Sequence, residues 1–261
     1  MKRSIVAATV VSSVVLVLMW GFAAYAVHAP FILPGPIAVL GDFLVLIQDS
    51  GFHREIVATM GRGLAAFCLS LSLSLVLGCV SGVSDAGAAA LRPWLAVIKS
   101  TPVVSVILIA LLWFGSSAVP VFVSVLMTLP VMTEALAKGI RETDRKLLEM
   151  ARIYRFRKRD ILLRIQLRSA VPFLLAGAGS ALGLTWKVVV AGEILGLPKT
   201  GLGTAIQTAR VQLESLRVFS LTIMAIVLCV ISEFVFSRLT ARYSSPNAAK
   251  GVMPYRSEAR P

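Results

Sequence analysis

Between Gly196 and Thr204 the chain reads GLPKTGLGT, with Gly196 and Gly201 at the spacing of a phosphate-cradling loop. Such a loop needs a lysine directly after its second glycine to reach the phosphates, and Leu202 stands there. The stretch is read as a Gly and Pro turn outside the cell, so any use of ATP must come from another chain. There is no GxSxG nucleophile turn, and the carboxylates are scattered along the chain. Glu233 stands inside an apolar run, where a charge costs about 2.5 to 3.5 kcal/mol to insert; pairing with Arg238 or with interfacial water accounts for it. His28 and His53 are solitary, and Cys68, Cys79 and Cys229 sit in apolar runs without CxxC spacing. The cysteines read as small apolar packing residues. No catalytic, metal or cofactor site is expected, and the chain does not read as an enzyme.

Two cationic features remain. EMARIYRFRKRDILLRIQLRSAVP, residues 149–172, carries seven Lys and Arg against two acids. Lys187, beside Trp186, interrupts a long apolar run. The first could hold nucleic acid, anionic lipid or a protein partner. The second either snorkels to the interface on its flexible stem or faces a water-filled path where it draws an anion, with Trp186 as the second candidate residue of that path.

The elements that must position these residues follow from composition. Of 261 residues 57% are hydrophobic and only 15% charged, far more apolar than an ordinary soluble domain. The chain reads as all-α and integral to a membrane. Crossing a hydrocarbon core takes about twenty residues, and six runs qualify: approximately Ile5–Val27, Gly63–Val83, Trp94–Phe114, Ala118–Ala137, Pro172–Gly192 and Val218–Leu239. The first ends in Ala24, Tyr25, Ala26, a small-residue cleavage pattern, but its apolar core is longer than a signal peptide's, so an uncleaved span is favoured. After the break at LPGP, Leu33–Pro36, the run Ile37–Ile47 is too short to span and is placed at the interface. Residues 1–243 form one membrane domain and 244–261 a loose cytoplasmic tail.

With a cytoplasmic N-terminus and six spans, nineteen Lys and Arg fall on cytoplasmic pieces and four on outer ones, with Arg62, Lys99 and Lys187 within or beside spans. That asymmetry fits the positive-inside rule. It puts both termini and the basic stretch in the cytoplasm, and it explains the +13 charge without nucleic acid.

Topology explains the sign of the loop at about 138–171 but not its length, since short connectors suffice. Asp144 is a candidate N-cap. Leu147, Leu148, Ala151 and Tyr154 then recur at helical spacing on one face, with Arg145, Glu149 and Arg152 on the other. A second amphipathic piece carries Ile161, Leu162 and Ile165 and an Asp160 to Arg164 pair. The spacing predicts two short helices joined by the basic turn Arg155–Lys158. A helix lying on anionic headgroups would show the same pattern.

LLEMARIYRFRKRDILLRIQLRSAVP resembles the EAA loop of the membrane permease subunits of ATP-binding-cassette (ABC) importers. LPGP, KSTPVVSVILIALLWFG at 99–115 and GLTWKVVVAGEILGLPKTGLG at 183–203 resemble its nitrate, sulfonate and taurine branch. The resemblance implies a type I importer permease fold whose loop forms cytoplasmic coupling helices in a groove of the ATPase. Glu149 and Ala151 match the motif's Glu and last Ala, Met150 its middle Ala, and Pro172 a late proline. Arg155 stands where the motif has Gly, and Arg168 where it has an earlier proline. Left-handed backbone costs a residue with a side chain about 1 kcal/mol or more, so Arg155 predicts an altered bend.

The implied partners are a cytoplasmic ATPase dimer, a second permease copy (homodimer, or heterodimer), an extracytoplasmic binding protein and membrane lipid, in a bacterial inner membrane. The implied solute is a small anion such as a sulfonate, taurine or nitrate, with a thiamine precursor or other metabolite as the alternative. A membrane scaffold or sensor that uses the basic loop without transport is the reading from a different class.

Overall fold

The structure is a computed structural model and describes residues 2–241; the expected tail, 244–261, lies outside them. Long apolar runs can satisfy every backbone polar group only as helices inside a membrane, and helices are what they form. Five are long and apolar enough to cross: α1 (Lys2–Val27), α3 (Ser50–Val83), α6 (Val119–Arg141), α9 (Leu167–Gly196, continued backwards to Lys158) and α11 (Ser215–Thr240). The short helix α2 (Pro36–Gln48) opens on Pro36 in its first turn, where the missing N–H costs nothing, and packs on α11. Asp42 lies 3.6 Å from Arg217, and Ser220 Oγ donates to the Val39 carbonyl at 3.2 Å.

The expected third span, Trp94–Phe114, is not one helix. Helix α4 (Asp85–Ser100) and helix α5 (Val103–Trp113) meet at 99°. Pro102 causes the break, because its ring pushes the preceding residue out of helical backbone, and Thr101 accordingly sits at φ −78°, ψ 127°. The Thr101 N–H and hydroxyl both turn back to the Val97 carbonyl. Counted as one broken span, the pair brings the total to six.

At the centre α3, α6 and α9 pack side by side, with α3 and α6 parallel and α9 antiparallel to both. Lipid offers no hydrophobic drive between helices, so close approach through small residues must supply the contact. On α3, Gly78 and Gly82 lie so tightly under Leu136 and Ile140 of α6 that an added methyl would come within 2.8 and 2.7 Å. Thr128 Oγ1 bonds Ser70 Oγ across the same seam at 2.8 Å. Around this core α4 leans on α3 and α6, α5 on α6 and α9, and α11 on α9. Helix α1 leaves most of its apolar side chains over Val10–Val27 exposed, and Trp20 stacks on Phe219 of α11 at 6.0 Å. Arg54 and Arg62 lie inside α3, whose 34 residues reach about 51 Å.

Candidate functional site

The basic loop folds from its caps inwards. Asp144 accepts from the Lys146 amide at 2.9 Å, as expected of an N-cap, and starts helix α7 (Arg145–Ile153). Ala151 is fully buried, Leu147 and Leu148 are half-buried, and Arg145, Glu149 and Arg152 face out. Tyr154 departs from the expected face. The helix stops at Ile153, and Tyr154, as the C-cap, is 72% exposed.

The stop itself is a Schellman turn, in which the Phe156 amide donates to the Ala151 carbonyl at 2.9 Å and the Arg155 amide to Arg152 at 3.0 Å. Arg155 takes the left-handed conformation at φ 55°. The turn therefore keeps its geometry with arginine at the glycine position, and the cost falls on local strain.

The expected second helix is not a separate element. Helix α8 (Lys158–Asp160) runs through a π-helical turn at Ile161–Gln166 straight into α9. Ile161, Leu162 and Ile165 are half-buried, as the pattern predicts. Asp160 and Arg164 pair at 3.6 Å. Arg168 stands on the first turn of α9, where its backbone N–H can join a helix that a proline would interrupt.

Near the same end of the bundle, Arg141 closes α6 onto the start of α4. Its guanidinium donates to Asp85 at 2.8 Å and to the Ser81 carbonyl at 2.9 Å. Further along α6, Lys99 Nζ reaches both oxygens of Glu134 at 3.0 and 2.9 Å, half-exposed in a cleft.

The far end holds a polar clasp that sequence reasoning missed. Glu193, near the end of α9, is fully buried. Thr59 Oγ1 lies 3.0 and 2.8 Å from its two oxygens, Arg62 donates at 2.6 Å, and the Gly203 amide donates at 2.9 Å. Arg62 also reaches the Thr200 carbonyl at 2.7 Å, and the Leu202 amide donates to Thr59 at 2.8 Å. The Gly201 amide donates to Glu55. Gly201 is needed here because its φ of 152° and the Glu193 carboxylate leave no place for a side chain. The GLPKTGLGT turn thus binds the protein's own carboxylates and starts helix α10 (Leu202–Val211). The available signal was an acid in one apolar run and an arginine in another.

Trp186 and Lys187 diverge. Trp186 is buried, its ring pressed onto Gly63 of α3 so closely that a methyl there would come within 2.6 Å. Lys187 is exposed. Glu233 accepts from Cys229 Sγ at 3.6 Å. It makes no ion pair with Arg238, which lies over the Phe234 ring at 4.8 Å.

A broken third span, a capped prong between the fourth and fifth spans, and a tightly packed helical core are now in view. Residues 70–245, more than half of the chain, match the family model described as "Binding-protein-dependent transport system inner membrane component". The chain belongs to that family. It is a permease subunit of a binding-protein-dependent ABC importer, a multi-pass inner-membrane protein and not itself a catalyst. Membership implies an ATPase and a binding protein as partners.

Among its relatives is a Brucella melitensis protein described as "Probable ABC transporter permease protein", 29% identical over 189 residues, covering 72% of this chain and 76% of the relative. Another is SsuC of Bacillus subtilis, a permease protein named for aliphatic sulfonates transport, 28% identical, covering 78% and 74%. The fold matches that of a chain from the inward-facing MetNI methionine ABC transporter, with a TM-score of 0.59 and 15% identity over 78% of this chain and 97% of that one.

Proposed function

We propose that this permease forms the path for a small anion, with a sulfonate as the first candidate, and works as a pair of copies, homodimer before heterodimer. Both termini and the loop at 138–171 lie in the cytoplasm. Residues 1–243 act as one membrane domain, with 244–261 as a cytoplasmic tail. Asp144, Leu147, Leu148, Glu149, Ala151, Tyr154 and Arg155 form the element that docks on the ATPase. Lys187 is a candidate cation of the path, and Trp186 holds α9 against α3 behind it. The SsuC relative supports the sulfonate reading.

The observation that carries the docking role is the surface of α7 and its turn. Met150, Ile153, Tyr154 and Phe156 are 43%, 78%, 72% and 43% exposed on a strongly basic prong. Apolar side chains gathered on a charged projection mark a protein contact surface rather than a solvated one. Glu149→Lys reverses a charge on the outward face and leaves Leu147, Leu148 and Ala151 in place. The variant is expected to reach the membrane at normal abundance, to lose copurifying ATPase and to abolish uptake. Undiminished ATPase recovery with normal uptake would refute the coupling role.

A further inference from the structure

A cleft of about 790 Å³ opens where α4 leans on α3 and α6, within the size range of small-ligand sites. One face of α4 forms its wall. Asp85, Ala88, Arg92, Ala96 and Lys99 recur there at spacings of three and four residues, one side of a helix. Glu134 and Arg141 of α6 face them. The charges are three cations and two carboxylates. Two cations are already matched, Arg141 by Asp85 at 2.8 Å and Lys99 by Glu134 at 2.9 Å. Arg92 has no ion pair or hydrogen bond among the described residues, so the cleft keeps one unmatched positive charge.

Charged side chains on spanning helices face water or protein rather than lipid, and these line a wet opening. Its two cations on α4, Lys99 and Arg92, differ in what an arriving anion must do. At Lys99 it has to displace Glu134, and at Arg92 it displaces nothing. A guanidinium also presents paired N–H donors that match two oxygens of a sulfonate or carboxylate. The two cations are seven residues apart on one helix, roughly 10 Å along its axis. They stand between the 99° break above and the Asp85–Arg141 pair below.

We infer that the α4–α6 cleft is an anion-binding station of the permease, with Arg92 as the resident cation that takes the oxyanion group of the solute and the Lys99–Glu134 pair as the contact it opens on the way. This rests on the importer reading above and adds the site and the head-group chemistry.

The test reads the field inside the cleft and needs no knowledge of the solute. In the purified complex of permease and ATPase in lipid nanodiscs, with Cys68, Cys79 and Cys229 replaced by Ser, single cysteines are placed at Ala88 and at Ala96, one turn either side of Arg92. Each is reacted with anionic sulfonatoethyl methanethiosulfonate and with cationic trimethylammonioethyl methanethiosulfonate. Rates are taken relative to a free thiol. Any effect of the field on the thiol itself is common to both reagents and cancels in the ratio. The anionic reagent is expected to be favoured by roughly fivefold or more, Arg92→Gln to erase that preference, and Arg92→Lys to keep most of it.

A ratio near one, a preference that survives Arg92→Gln, or cysteines that neither reagent reaches in any nucleotide state would each overturn the inference. The importer reading fails separately. If no ATPase copurifies with the permease, that reading falls whatever the cleft does. A complex that hydrolyses ATP with an unbiased cleft removes only the anion station.

Discussion

Arg62 of α3 and Glu193 of α9 lie 2.6 Å apart, although 131 residues separate them in the chain. The carboxylate is fully buried, and its other contacts are Thr59 and the Gly203 amide. Removing one member of a buried pair leaves the other uncompensated, which typically costs about 3 to 5 kcal/mol. Glu193→Ala should therefore lower the unfolding temperature of the detergent-solubilised permease markedly. Glu193→Gln, which can still accept from Thr59 and Gly203, should lower it less. Equal stability of the Ala variant and the parent would show that the clasp does not hold α3 to α9.

Arg155 occupies left-handed backbone at the end of α7. Glycine adopts that conformation without the side-chain penalty, so Arg155→Gly should stabilise the turn by up to about 1 kcal/mol. Limited proteolysis within 154–160 should slow in the variant, with ATPase association retained. Faster cleavage would mean that the arginine side chain contributes more than its backbone strain takes away.

Lys187 is tested through its charge. If the ammonium meets the solute, Lys187→Met should slow uptake at least tenfold while solute binding to the isolated binding protein is unchanged, and Lys187→Arg should recover part of the rate. A Met variant that transports like the parent at equal membrane abundance makes Lys187 an interface anchor. The residue lies on α9 and is not among the residues that line the α4–α6 cleft, so its variant and that of Arg92 report on different surfaces.

Orientation rests on the nineteen-to-four distribution of Lys and Arg. Single cysteines at Ser116, in the turn before α6, and at Glu142, just after it, should react with an impermeant thiol reagent from opposite sides of sealed cells, Ser116 from outside. Labelling of Glu142 from outside would reverse the topology.

The amino-acid sequence by itself determined the helical membrane class, the approximate place of the spans and the capped helix of the loop. These depend on local quantities: apolar length, which must match the bilayer, and the hydrogen bond that Asp144 makes to an amide two residues away. It did not determine the sharp break at Thr101–Pro102, because proline permits a kink or a full turn and only the packing of α4 on α3 and α6 and of α5 on α6 and α9 selects 99°. Pattern also extended the buried face of α7 to Tyr154, although its hydrogen bonding ends the helix at Ile153.

The two polar constellations are of another kind. Glu193 finds Arg62 and Thr59, and Lys99 finds Glu134, across more than thirty residues of chain. Read singly, each is a costly charge in an apolar run. Only the approach of α3, α6 and α9 through Gly78, Gly82 and Gly63, residues without side chains to hold the helices apart, brought Glu193 to its partners, and only the packing of α4 on α3 and α6 brought Lys99 to Glu134 and left Arg92 without a partner among the described residues.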